Sequence, residues 1–261
     1  ASACAQFNAT FVQRLGKCIE GGGMTDTSVP LLSRQSGLLE NAQIIANNIA
    51  NASTPGYKSE GAIFSEYIKA AGEGNLSLSM GQLKARSIDF TSGAMRQTGG
   101  TFDLAIAGEG FFKVQTPAGE RLTRAGTFLL DLDGRMVTPE GFAVTDDGGG
   151  EILLPPDAQS VVIARDGTLS VDGDVFGLVG VFIPNGEMQR AGQNLWVSPE
   201  GDTPMENPGI VQGALEQSNV NPVLEFANLI HVQRVFEAGQ NIVTQENDRL
   251  EKLISAIRQA G

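Results

Sequence analysis

From Asn221 to Gln259 apolar side chains return every three or four residues: Leu229, Val232, Phe236, Val243, Leu250, Leu253 and Ile257, interrupted by Gly239 and Glu246. That spacing lays them along one face of a helix roughly 57 Å long at 1.5 Å per residue. A 3.5-residue period is the seam of a coiled coil. Asn221 can cap the helix, Pro222 suits the first turn and Glu225 complements the dipole. A lone striped helix is marginal in water and needs a surface against which to bury its stripe. The rest of the chain must therefore supply that surface or find it in another molecule.

The first such surface stands at the other end of the sequence. Between Pro30 and about Ala52 a second stripe runs through Leu31, Leu38, Ala42, Ile45, Ile49 and Ala52, with Gln35 as its polar exception. Ser28 and Pro30 suit a helix start. Pro55 disfavours helix at Thr54, and Gly56 permits a sharp turn. Asn47 and Asn48 have two readings, as ordinary surface amides or as amides at a packed seam that set register. Asn51 repeats the amide one turn later.

Thirty-three glycines and eleven prolines call for many turns. Asp133-Gly134, Glu140-Gly141, Asp166-Gly167, Asp172-Gly173 and Asn185-Gly186 are hairpin signals, because such pairs supply the positive φ of two-residue turns. Residues 103–120 alternate apolar and polar, turn at Gly108–Gly110 and alternate again. Residues 57–71 read as either helix or extended chain, and Leu76–Met80 as a short strand. The fold class expected is α+β. Long N- and C-terminal helices form a coiled-coil-like pair, with an antiparallel, β-rich, barrel-like central domain. The segments expected are an atypical N-terminal extension (1–29), an assembly helix (30–56), a connector (57–79), the β-rich domain (80–205), a second connector (206–220) and the C-terminal assembly helix (221–261).

Composition excludes several functions. A net charge of −12 argues against nucleic acid, whose phosphates need clustered Lys and Arg. No apolar run approaches the ~18–20 residues that cross a membrane. Cys4 and Cys18 have no metal-type spacing and no nearby histidine. His231, the single histidine, sits on the long helix as an ordinary surface or interface residue. The pairs Asp131/Asp133, Asp146/Asp147 and Asp172/Asp174 each adjoin a glycine and read as turn formers. Gly108-Glu109-Gly110 is no dinucleotide fingerprint, and Gly148–Gly150 lacks the Lys-Ser/Thr of a phosphate loop. Phe111-Phe112 reads most simply as one ring in the core and one on the surface, with a binding platform as the other reading. No enzyme activity, cofactor, metal, nucleic acid or small-molecule substrate is expected. Residues 1–23 lack a signal peptide's apolar core, since Arg14, Lys17 and Glu20 interrupt it. They are expected to be an artefact of start-site choice or a dispensable extension before Met24.

Three segments resemble the flagellar hook–basal body family of rod, hook and hook-filament junction proteins. ANNIANASTPGYK at 46–58 is similar to its N-terminal signature, and residues 104–144 to its central β-signature. SNVNPV at 218–223, with RVFEAGQNIV at 234–243, is similar to its C-terminal signature. Pro222 and the STPGY turn favour the proximal-rod branch over the distal one. The resemblance implies a structural axial subunit of the basal-body rod, exported unfolded without signal cleavage, with terminal helices packed around a channel. The partners implied are other rod and hook–basal-body proteins and further copies of the chain. The assembly interface expected is Leu38, Ala42, Ile45, Asn48, Ile49, Leu229, Val232, Phe236, Val243, Leu250 and Leu253. The alternatives are a distal rod or hook paralogue, a wall hydrolase working near the basal body, or an adhesin-like binding module with its helices as a stalk.

Overall fold

A computed structural model describes residues 28–69, 78–155, 158–192 and 194–260. They divide into two compact units. The first holds the described residues up to Ile45, those within Gly61–Ser87, and the chain from Ala227 onward; the second holds Ala46–Glu60 and Ile88–Phe226.

Helix α1 spans Ser28–Ala50 and helix α2 spans Pro222–Ala260. Of the striped residues whose side chains are described, most turn inward. On α1, Ile44 and Ile45 are buried and Leu38 and Ala42 half-buried, whereas Leu39 is exposed. On α2, Val232 is buried and Leu229, Phe236, Val243 and Leu250 are half-buried. Asn221 caps α2: its Oδ1 accepts from the N–H groups of Val223 at 3.1 Å and Leu224 at 3.3 Å. Of the two conformations left open for 57–71, the chain takes the extended one from Glu60 to Lys69 (β1), which pairs with Leu78–Ile88 (β2) in a two-stranded sheet.

The second unit is a set of short strands. Met95–Gln97 (β3) pairs antiparallel with Ala214–Glu216 (β18), and Leu104–Ile106 (β4) with Ile210–Gln212 (β17). Phe111–Thr116 (β5) and Gly119–Thr123 (β6) form a hairpin at the centre of the largest sheet. That sheet continues through Ala143–Val144 (β9), Met136–Val137 (β8) and Leu129–Leu130 (β7) on one side. On the other side follow Trp196–Val197 (β15) and Gln189–Arg190 (β14); Val181–Pro184 (β13) also pairs with β5 and with Asp202–Pro204 (β16). Val161–Ile163 (β10), Thr168–Val171 (β11) and Asp174–Leu178 (β12) make a separate three-stranded sheet.

The expected barrel is not formed: β14 and β7 end the hydrogen-bonded path without meeting. Closure needs a consistent tilt and stagger around the whole ring, and these two-residue end strands offer no ladder to stagger. The expectation for Phe111-Phe112 also fails, because both rings are buried. Phe112 joins the main core with Leu104, Val114, Phe128, Met136 and Val144, while Phe111 joins Leu122, Phe182 and Trp196 on the opposite face. A strand covered on both faces does not alternate core with solvent.

Candidate functional site

Helix α1 ends in a polar knot. Asn51 N–H donates back to Asn47 O at 3.1 Å, its side chain does the same at 2.9 Å, and Thr54 N–H donates to Asn51 O at 3.1 Å. These bonds satisfy the helix's last carbonyls. Two residues on, Gly56 turns with φ +70°, and its N–H donates to Glu216 O at 2.8 Å. A Cβ at this position would fall 2.4 Å from the Arg124 carbonyl carbon and the Ala125 nitrogen. Only glycine suits both the left-handed backbone and the contact.

The turn leads into Tyr57, Lys58, Ser59 and Glu60, within the second unit. Asn48, 1% exposed, acts as a strand edge for Glu60: its Oδ1 accepts the Glu60 N–H at 3.0 Å and its Nδ2 donates to Glu60 O at 2.8 Å. Tyr57 OH donates to the same Oδ1 at 3.2 Å, and the Asn48 amide also reaches Glu225 Oε1 at 3.5 Å. Asn219 does comparable work from the other end of the chain. Its Oδ1 accepts from Ser59 N–H at 2.8 Å and its Nδ2 donates to Asp89 O at 2.8 Å.

At the centre lies an ionic clasp. Lys58 Nζ donates to Glu216 Oε1 at 2.6 Å and to Thr91 O at 2.8 Å. Arg124 Nη1 donates to Glu216 Oε2 at 3.1 Å, and its Nη2 to Gly108 O at 2.6 Å. Gly93 N–H adds a third donor to Glu216 at 2.9 Å. The Lys58 and Glu216 side chains are each 1% exposed, and that of Arg124 is 4% exposed. Two cations thus share one carboxylate in a dry site. Burial pushes the Lys58 ammonium below its ordinary range, and the bond to Glu216 opposes that push. Arg124 is lowered for the same reason and opposed by the same carboxylate. Burial raises the Tyr57 phenol and the Glu225 carboxyl. Arg190 pairs with Glu60 and lies over the rings of Trp196 at 4.6 Å and Tyr57 at 5.0 Å.

This arrangement fastens distant parts of the chain to one another. Glu216 is surrounded by three donors of the chain itself, and at 2% exposure no substrate reaches it. Among the described residues no group of three or more His, Cys, Asp or Glu could hold a metal ion. His231 is exposed on α2, and Asp131 and Asp166 bond the backbone of their own turns. No helix among the described residues is long and apolar enough to cross a membrane.

Of the residues expected at an assembly interface, Asn48 sits inside the knot, Ile45 and Val232 are buried, and Leu38, Ala42, Ile49, Leu229, Phe236, Val243 and Leu250 are half-buried. The Leu253 side chain, Cys4, Cys18 and residues 1–23 lie outside the described residues. Sequence reasoning missed Lys58, Arg124, Glu216 and Asn219 as partners. Lys58 and Asn219 stand inside the two terminal motifs, yet nothing in a periodic reading pairs residues 158 or 160 positions apart.

The comparisons with known proteins match these same segments. Residues 32–58 match the family model described as flagella basal body rod protein, and residues 105–171 that of the flagellar hook protein FlgE/F/G D1 domain. Residues 211–256 match the model of the flagellar basal body rod FlgEFG protein C-terminal region. The flagellar basal-body rod protein FlgF of Caulobacter vibrioides is 41% identical over 216 residues, covering 79% of this chain and 87% of the relative. FlgF of Mesorhizobium japonicum is 34% identical over 90% of this chain and 98% of its own length. FlgG of Bacillus subtilis is 32% identical over 82% of this chain and 92% of its own length. The matched segments hold the residues of the knot at Asn48, Lys58, Arg124 and Glu216, and the chain belongs to the flagellar basal-body rod proteins. Its place is the flagellar basal body. Within that family it is most like FlgF.

Proposed function

We propose that the chain is an axial subunit of the proximal rod, whose terminal helices pair and pack with those of other rod subunits into a hollow, torque-transmitting shaft. It is exported unfolded through the flagellar secretion channel without signal cleavage, and it catalyses no reaction. One observation carries the reading: α2 holds Leu229, Phe236, Val243 and Leu250 only half-buried while Val223, Leu224, Phe226, Ile230, Ile242 and Ile254 stand exposed. A helix with that much apolar surface on more than one side finds its stability in neighbours. The match to FlgG relatives supports a distal-rod position as the second reading.

The test is a motility assay with complementation. Ile254→Asp changes an exposed residue, so the free chain should fold normally while swarming is lost. Full motility in that variant and in Ile45→Asp would remove the helices from the polymer and end the proposal. Glycan release by the purified chain would return the wall-hydrolase alternative.

A further inference from the structure

Asn185-Gly186 is the one Asn-Gly pair of the sequence, and the fold gives it no hairpin to close. Strand β13, which ends at Pro184, pairs with β5 and β16, whereas β14, which begins at Gln189, pairs with β15. Asn185, Gly186 and Glu187 stand exposed between them. The Asn185 backbone is tied down: its N–H donates to Gly201 O at 2.9 Å, and its carbonyl accepts from Ser198 Oγ at 3.3 Å. Among the described residues, neither the Asn185 side-chain amide nor the Gly186 N–H has a hydrogen-bond partner.

An asparagine amide is attacked by the next peptide nitrogen where that nitrogen bonds nothing and no Cβ crowds its approach; only glycine meets the second condition. Asparagine is for that reason among the heat-labile residues. The other described asparagines are shielded. Asn41, Asn47, Asn228, Asn241 and Asn247 lie inside α1 or α2, where the helix ladder holds the following N–H. Asn48, Asn51, Asn194 and Asn219 keep their amides in hydrogen bonds. Asn207 and Asn221 precede prolines, which have no N–H.

We infer that Asn185 is a site of spontaneous modification, a deamidation that converts it to aspartate and isoaspartate in the folded chain. The Gly186 nitrogen bonds to Asn185 Cγ, the Cγ–Nδ2 bond breaks, and the nitrogen's proton, carried by water, leaves with ammonia. Water then opens the resulting cyclic imide. Opening at Cγ gives aspartate; opening at the main-chain carbonyl gives isoaspartate, whose backbone runs through Cβ and Cγ. The net exchange is water in and ammonia out. Either product adds a carboxylate near exposed Glu187 and Glu200. The Glu200 carboxyl already lies against the turn, since a Cβ on Gly186 would fall 2.5 Å from its Cδ. Like charges there repel. Isoaspartate also lengthens the main chain between Pro184 and Gly186, which pulls against the Asn185–Gly201 bond and the pairing of Pro184 with Asp202.

Peptide mapping by mass spectrometry of the purified full chain, held folded in mildly alkaline buffer, tests it, with isoaspartate-specific methylation as a second readout. The mass gain of amide-to-acid conversion should appear at Asn185 about tenfold or more faster than at Asn194 or Asn219. Asn185→Gln, at an exposed position, should remove both signals, because ring closure on the longer side chain is slow. Aged wild type should melt below fresh wild type, while Asn185→Gln melts alike fresh and aged. Conversion at Asn185 no faster than at Asn194 would overturn the assignment, and so would conversion that appears only in urea. Equal melting of fresh and aged wild type, with the conversion present, would overturn its effect on the β13–β16 pairing. None of these results bears on the rod reading.

Discussion

Glu216→Gln tests how the clasp is built. The change keeps an acceptor for Lys58 Nζ and Gly93 N–H, both of which bond Oε1. It turns the Oε2 position into an amide NH₂ facing Arg124 Nη1, a donor at 3.1 Å from another donor. It also leaves two cations in a site where the side chains are 1–4% exposed. Removing one partner of a buried ion pair costs about 3–5 kcal/mol, and at ~2–4 °C per kcal/mol for a chain of this size the midpoint should fall by about 6–20 °C. The exposed pair Arg86–Glu40, 48% and 44% exposed, is the internal control; Glu40→Gln should cost no more than about 1 kcal/mol. The ordering is sharper than the size. Because the clasp holds one positive charge in excess, Lys58→Met leaves a neutral Arg124–Glu216 pair and should cost clearly less than Glu216→Gln. Urea unfolding of the three variants measures this directly. A Glu216→Gln chain within 1 kcal/mol of wild type, or a Lys58→Met chain that is the less stable of the two, would refute the charge count.

Three other outcomes follow from the same knot. Gly56→Ala should lower stability by several kcal/mol or abolish folding, since it combines a positive φ with a Cβ 2.4 Å from backbone atoms; thermal melts near wild type would contradict the packing. Tyr57→Phe removes one donor to Asn48 Oδ1, which keeps the Glu60 N–H, so the loss should be about 1 kcal/mol in chemical unfolding. Glu225 has its carboxyl raised by burial, so the folded chain takes up that proton at a higher pH than the unfolded chain. Ionised Glu225 therefore subtracts stability at neutral pH, and the penalty fades as pH falls through the raised value. Glu225→Gln should be at least as stable as wild type at pH 7, with the gap closing on acidification; a gap that widens instead would reverse the assigned sign.

The helices were legible because their signal is local. Apolar spacing, Asn221 and the Pro55-Gly56 stop place α1 and α2 within a few residues of Ser28–Ala50 and Pro222–Ala260. The hairpin glycines were legible for the same reason: Gly134, Gly141, Gly167, Gly173 and Gly186 all have φ between 80° and 98°. Sheet closure was not, since it depends on strand length and stagger summed around a ring. Nor was the clasp. Lys58 finds Glu216 across 158 residues and Arg124 finds it across 92. Each charge alone looks like an ordinary solvated side chain. Asn48 lay between: an amide at a seam was one of two readings, but that it would serve as a strand edge for Glu60 needed the folded backbone.

Strands β3 and β18 run side by side, with Gln97 opposite Ala214 and Thr98 N–H bonded to Gly213 O at 2.8 Å. The chain therefore leaves its first stem and rejoins its second at one doorway, and everything from Thr98 to Gly213 is an excursion hung on that doorway. A foreign domain spliced into an outlying hairpin such as Asp172-Gly173 would leave both stems in register with each other, because Arg124 and Arg190, the parts of the excursion that fasten Glu216 and Glu60, stay in place. Bulk added at that outlying turn lengthens the excursion without touching the β3–β18 pairing at its base.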